Sequence, residues 1–357
     1  MEQATFHQLL RAAVNNGGSD VHFKVDSPPA IRIGGLLRNV KSPGLAPEDM
    51  ERIATYILAQ SRRATTLSEV WEMDASYAIE GVARFRVSLF RQKGHFALVM
   101  RTIPFNVPTF AELGLPETVE RIAGEDRGLV LVTGVTGSGK TTTLASFVDA
   151  INTNKRKHVI TIEDPIEFIH VDKSSRVTQR EVGSDTPSFA TALRAALRQD
   201  PDVVMVGEMR DYETVDIALK AAETGHLVLS SLHTFDVART ISRIVGVFPS
   251  DAELSVRARL AESLKAVVSQ RLLPHASGQG RVLVAEVMAT TINIQEMIRD
   301  PARTALLTDY LAKNGDYGCQ TFDQDLTRLY KAGAITVEAA TAASSNPANF
   351  QRALAFA

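Results

Sequence analysis

Cysteine is almost absent from this chain: 357 residues contain one, Cys319. A single thiol excludes an internal disulfide and a zinc site built on four cysteines, and Cys319 reads as an ordinary part of the fold. Excess charge is lacking as well. With 39 basic and 41 acidic residues the net charge is −2, so no overall basic field points to nucleic acid or to an anionic membrane surface. No nucleic-acid partner is expected. No stretch approaches the roughly 20 apolar residues of a membrane span, and the N-terminus lacks a positively charged segment followed by an apolar core. The expectation is a cytoplasmic protein. Aromatics are few, at 6%, yet 45% hydrophobic and 22% charged residues describe a globular chain with room for about two or three domains.

The densest signal is the stretch 128–151, GLVLVTGVTGSGKTTTLASFVDAI. Leu129, Val130, Leu131 and Val132 form the unbroken apolar run that a parallel strand covered on both faces requires. Residues 134–141 then match GxxxxGK(S/T), a phosphate-binding loop. Its glycines let backbone N–H groups converge on phosphate oxygens, Lys140 can reach the outer phosphates, and the Thr141 hydroxyl can ligate Mg²⁺. Leu144, Phe147, Val148 and Ile151 follow at helical spacing, so the loop opens an amphipathic helix with its positive end towards the anion.

Ahead of this block the chain reads as a small α+β domain. Phe6, Leu9, Leu10 and Ala13 share a helical face, and Asn16-Gly17-Gly18 ends that helix. Val21, Phe23 and Val25 alternate with polar residues as a strand. Ile31 and Ile33 lie on a second strand, with Gly34-Gly35 as a hairpin turn. Pro47, Glu48 and Asp49 begin a helix carrying Met50, Ile53, Ala54 and Ile57. Strand-like segments follow at 75–80, 83–90 and 95–102. The last two concentrate Arg84, Arg86, Arg91, Lys93 and Arg101, with no Asp or Glu between Gly81 and Ala111. Arg84 and Arg86 share a face of their strand. A solvated basic face and a phosphate contact reaching a nucleotide held elsewhere both fit this pattern.

Residues 103–118, with Pro104, Pro108 and Pro116, read as a linker. Beyond the phosphate loop, a second apolar strand at 159–162 leads into Glu163-Asp164-Pro165-Ile166-Glu167. Thr186-Pro187 opens a helix that Pro201 stops. A third strand at 203–206 delivers Gly207-Glu208. Carboxylates at the ends of buried strands lie where open α/β sheets bind ligands. A short strand at 227–229 is flanked by His226 and His233. Either histidine alone reads first as a packing or turn residue, but two bracketing one strand in this context favour a functional role. After Pro249 the chain reads as mostly helical, apart from a strand at 282–287.

Four blocks, GVTGSGKTTT, TIEDPIEFIH, RQDPDVVMVGEMRD and TGHLVLSSLHT, in this order and spacing, resemble the Walker A, Asp, Walker B and His boxes of the type II secretion and type IV pilus motor ATPases. The opening GGSDVHFKVDSPPAIRIGG and the late YGCQTFDQDLTRLYKAGAIT resemble the pilus-retraction branch of that family over essentially the whole chain. The scarcity of cysteine agrees, because assembly and secretion members usually carry a tetracysteine zinc motif. The resemblance implies an α/β fold: a RecA-like P-loop ATPase domain at 119–275, a smaller N-terminal α+β (PAS-like) domain at 1–102, the linker at 103–118, and a mostly helical C-terminal extension at 276–357.

It also implies a site and an activity. ATP would lie on Gly134, Val135, Thr136, Gly137, Ser138, Gly139, Lys140, Thr141 and Thr142, with Mg²⁺ at Thr141 and the Walker B carboxylate Glu208. Glu163 would orient or deprotonate the attacking water. Arg86 and Arg101, in the strand motifs RVS and VMR, would contact nucleotide, while His226, His233 and Arg243 match the His box and the arginine that follows it. The implied protein is a homo-hexameric ATPase at the inner-membrane base of the pilus machine. It would act on a membrane platform protein, with a paralogous motor ATPase as a further candidate partner, to drive pilus retraction and twitching motility. One departure matters: retraction members carry Ala-Ile-Arg-Glu where this chain has Met297-Ile298-Arg299-Asp300 followed by Pro301. A non-catalytic accessory subunit, a pilus assembly or secretion motor, and a RecA-like nucleic-acid motor are the rival readings.

Overall fold

The computed structural model describes residues 1–61, 66–103 and 106–355; Pro104 of the expected linker lies outside the described residues. Two compact units emerge from the chain. The first comprises Met1–Asn106 with Asp164–Ile169 and Glu181–Pro187, and the second holds the remainder.

In the first unit, α1 (Gln3–Asn15), β1 (Gly18–Lys24), β2 (Ala30–Ile33), β3 (Leu36–Asn39), α2 (Pro47–Ser61), β4 (Glu72–Ile79), β5 (Ala83–Gln92) and β6 (His95–Ile103) follow one another. The strands form one antiparallel sheet in the order β3-β2-β1-β6-β5-β4. Alternation in β4 and β5 sends every second residue into the core. There Tyr77, Phe85 and Leu89 join Phe6 and Leu10 of α1 and Met50, Ile53 and Ile57 of α2. The hairpin turn expected at Gly34-Gly35 is present, both glycines adopting positive φ.

The second unit is built on a seven-stranded sheet. Its elements are α3 (Glu117–Ala123), β7 (Gly128–Thr133), α4 (Lys140–Asn154), β8 (His158–Glu163), β9 (Arg176–Glu181), α5 (Phe189–Ala196), β10 (Val203–Val206), α6 (Tyr212–Glu223), β11 (Leu227–Leu232), α7 (Val237–Val245), α8 (Glu253–Ser263), β12 (Leu264–Pro274) and β13 (Arg281–Ala289). The C-terminal helices are α9 (Ile292–Arg299), α10 (Leu307–Lys313), α11 (Phe322–Lys331), α12 (Val337–Ala343) and α13 (Pro347–Ala355). Strand order is β13-β12-β7-β11-β10-β8-β9. From β12 to β8 neighbours are parallel, and β13 closes one edge antiparallel to β12.

All six residues of β7 are buried, and each fully buried Val or Leu stabilises such a strand by about 1.5–3 kcal/mol. Leu144, Phe147, Val148 and Ile151 of α4, the face expected from their spacing, pack in the same core. Three features differ from expectation. β12 replaces part of the helical run expected after Pro249. β9 was not foreseen. α5 begins at Phe189 under a Ser188 cap rather than at Pro187.

Candidate functional site

The parallel strands β7, β11, β10 and β8 end at one edge of the sheet, and each delivers a polar group there. Register fixes their neighbourhood: Thr133 of β7 pairs with Leu232 of β11, and Val206 of β10 with Ile162 of β8. The next residues are the phosphate loop, His233, Gly207-Glu208 and Glu163. Hydrogen bonds stitch the loops together, from Gly134 N to Leu232 O at 3.3 Å and from Gly207 N to Ile162 O at 2.8 Å. The Ser231 hydroxyl adds a bond to Gly207 O at 2.6 Å.

The phosphate loop has the shape that its glycines permit. Gly134 sits at φ 147°, where a side-chain carbon would meet Ser138 Oγ at 2.4 Å and Gln270 O at 2.5 Å. Gly139, at φ 92°, caps α4. Both conformations exclude ordinary side chains. Lys140 is buried, and its Nζ donates to Gly134 O at 2.9 Å and Val135 O at 3.0 Å. Val135, Thr136 and Gly137 form the open tip of the loop, and Thr141 and Thr142 are half-buried in the first turn of α4. Ser138 Oγ is buried and lacks a hydrogen-bond partner, which suits a loop shaped around phosphate oxygens. Behind the loop, Gln270 of β12 donates to Thr143 Oγ1 at 2.7 Å and braces α4.

The two carboxylates are held differently. Glu163 is buried, and its Oε1 accepts from Thr161 Oγ1 at 2.6 Å and from Gln179 Nε2 at 3.1 Å. Glu208 is more open and accepts a charged partner, Arg210, at 2.6 Å; His233 Nε2 lies 3.5 Å from its other oxygen. No cluster of three or more His, Cys, Asp or Glu residues suited to hold a metal occurs among the described residues. A hydroxyl at Thr141 and a carboxylate at Glu208 are instead the hard oxygen donors that Mg²⁺ takes beside substrate phosphates.

His226 is placed elsewhere. It precedes β11 at the opposite edge of the sheet from His233, and its Nδ1 pairs with Ala221 O at the end of α6. Arg243 is exposed in the last turn of α7.

A model of the family described as type II/IV secretion system protein matches residues 2–338. The chain belongs to that family. Within it, the chain is 44% identical over 343 residues to the type IV pilus retraction ATPase PilT of Pseudomonas aeruginosa, covering 96% of this chain and 99% of that protein. It is 41% identical to the type IV pilus ATPase PilU of the same organism, covering 94% and 88%. A crystal structure of the pilus retraction motor PilT with bound ADP superposes with a TM-score of 0.88 at 45% identity, over 97% of this chain and 98% of that one. The α/β fold expected from the four boxes is the fold observed.

Arg86 of β5 and Arg101 of β6, expected from the resemblance to contact nucleotide, lie in the first unit as direct cross-strand partners. Arg101 is 71% exposed and donates through Nε to Asp20 Oδ1 at 3.0 Å. Arg86 is 41% exposed, with Asp74 and Glu167 each at 4.0 Å. Arg84 and Arg91 of the basic run serve the fold. Arg84 pairs at 2.6 Å with the buried Glu181, which also accepts from Ser76 and from Ile166 N. Arg91 donates to Val70 O and Leu67 O and stacks over Phe96. Thr161 and Arg210 lie inside the quoted boxes without a role of their own there, and Gln179 and Gln270 belong to no pattern, so none of the four was read as part of the site.

Proposed function

We propose that this chain is an ATP-hydrolysing motor that powers type IV pilus retraction. One observation carries the reading: the phosphate loop and two differently held carboxylates converge at a single sheet edge, in a chain 44% identical to a pilus retraction ATPase along nearly its whole length. The proposed motor is a homo-hexamer that binds a membrane platform protein from the cytoplasmic side. No helix among the described residues is long and apolar enough to cross a membrane. Its working parts are residues 1–102, the linker 103–118, the core 119–275 and the extension 276–357, the last joined to the core through the β12–β13 ladder.

In this proposal, loop N–H groups and Lys140 bind the phosphates of ATP. Thr141 and Glu208 would hold Mg²⁺, which when bound neutralises charge shared between the β- and γ-phosphates. Glu163 orients water for attack on the γ-phosphorus and accepts its proton. Arg86 and Arg101 of a neighbouring subunit approach the same phosphates and offset charge that grows in the transition state. Phosphoryl transfer is mostly positioning, so closing an interface around ATP and reopening it after cleavage would move one domain against the next.

Steady-state phosphate release by the purified chain tests the enzyme. Lys140→Ala should abolish it by weakening nucleotide binding, and Arg86→Ala and Arg101→Ala should each slow it while the isolated subunit still binds ATP. Wild-type rates for both arginine variants would remove them from the site. Gene deletion tests the direction of work: surface pili should persist and stop retracting. An accessory role beside a second motor has specific support in the altered Met297-Ile298-Arg299-Asp300 segment at the C-terminal end of α9 and in the 41% identity to PilU. Retraction that survives the deletion but weakens under load would favour it.

A further inference from the structure

Two residues to which the motifs assign no role, Thr161 at the start of the Asp box and Gln179 outside every quoted block, converge on Glu163. Thr161 lies two positions earlier on β8 and therefore on the same face of the strand. It is fully buried, and its hydroxyl donates to Glu163 Oε1 at 2.6 Å. Gln179, on neighbouring β9, donates to the same oxygen through Nε2 at 3.1 Å. The direction of that amide is set independently. Gln179 Oε1 accepts from the backbone N–H of His170 at 2.9 Å, and a backbone N–H can only donate. The nitrogen end must therefore face the carboxylate.

The last torsion of a glutamate is broad and roughly two-fold, so a carboxylate without fixed partners samples many orientations. Two donors meeting on one oxygen remove that freedom and fix the plane of the group. We propose that Gln179 and Thr161 are positioning residues for Glu163, setting the direction in which its carboxylate meets the attacking water. This rests on the reading of Glu163 as the group that handles the water. Both donors are neutral, which matters chemically. A lysine or arginine in either place would hold the carboxylate at least as firmly but would offset the charge that lets it accept a proton. His170 supplies the anchor at its backbone. Its buried ring is held uncharged, burial pushing its pKa down to about 4, so the anchor adds no cation near the site.

The full-length protein carries the test, with phosphate release and binding of a non-hydrolysable ATP analogue measured side by side. Gln179→Leu should lower kcat by about 10- to 100-fold, the scale of a modest misplacement of a reacting group, while KM and analogue affinity change by less than about two-fold. Thr161→Val keeps the shape of the side chain and should act in the same direction, and Thr161→Ser, which restores the hydroxyl, should recover most of the rate. In a Glu163→Gln background, Gln179→Leu should add almost nothing, because the two residues act as one unit. Wild-type kcat in both Gln179→Leu and Thr161→Val would overturn the proposal. So would a fall matched by lost analogue binding or a lowered melting temperature, or a full further fall in the Glu163→Gln background. Wild-type turnover by Glu163→Gln itself would instead strike the underlying reading of Glu163, a result separable from the others.

Discussion

Glu163 and Glu208 end adjacent strands yet live under opposite rules. Glu163 is buried, and one of its carboxylate oxygens accepts from two neutral donors, a hydroxyl and an amide. Glu208 follows β10 on a loop, where exposed Arg210 pairs with it and His233 stands beside it. Neutral donors fix direction and lower a carboxylate's basicity less than a paired cation does, whereas a cation on a flexible stem offers a pairing that another cation can replace. The two environments would suit the two tasks proposed for them, one carboxylate for water and one for metal.

The largest test of that contrast is removal of each charge. Glu163→Gln and Glu208→Gln should both reduce phosphate release by about 10²-fold or more with ATP binding retained; full turnover by either would break the assignment. Shortening should then separate them. Glu163→Asp withdraws the carboxylate from Thr161 and Gln179 and should approach the loss seen in Glu163→Gln, while Glu208→Asp should keep a larger share of activity when Mg²⁺ is raised. Equal losses that Mg²⁺ does not relieve would merge the two roles. Arg210→Ala sharpens the comparison further. An exposed ion pair is worth about 0.2–1 kcal/mol, so its removal should lower the Mg²⁺ concentration for half-maximal rate by at most about five-fold. A rise would mean that Arg210 supports the metal site.

A smaller effect concerns His170, whose backbone anchors the Gln179 amide. Burial holds its folded-state pKa at about 4 against an ordinary value of 6.5. Between those values the unfolded chain binds the proton and the folded one does not, so acidification from pH 6.5 towards 4 draws stability away. Denaturant titrations of wild type and His170→Gln across that range should show the wild type losing more on acidification, and parallel pH profiles would contradict this. The smallest change is expected of Cys319→Ser. The thiol is buried and lies 3.7 Å from Ala289 O, outside the site edge, and phosphate release should stay close to wild type.

The parts of the fold that could be read in the sequence are those whose local chemistry has a single outcome. An apolar run, three glycines, a lysine and a helix-spaced apolar face leave the segment around 134–141 little choice, and Pro47 with two acidic residues marks a helix start equally clearly. β12 was missed because Leu264 directly follows Ser263, the last residue of α8, with no glycine or proline between them to announce a change of period. β9, with sequence RVTQRE, is a polar strand at a sheet edge with one apolar residue, so neither alternation nor hydrophobicity reveals it. The phosphate loop, both carboxylates and His233 were legible as a set and lie together. Gln179 and Arg210 were not, because an amide or guanidinium acquires its role from tertiary placement alone. His226 had the same signal as His233, yet the two ends of one strand face opposite edges of the sheet.

Arg86 and Arg101 occupy one rung of the first unit's antiparallel ladder. Like charges directly opposite one another destabilise a rung, and Asp20, Asp74 and Glu167 stand beside these two, so an arriving anion has to displace carboxylates already in place. Dissolved phosphate, sulfate and free nucleotides would meet those same acidic competitors. If these arginines do serve an adjoining subunit, ring closure becomes a contest between dissolved anions and one already tethered across the seam, and proximity rather than charge decides the winner.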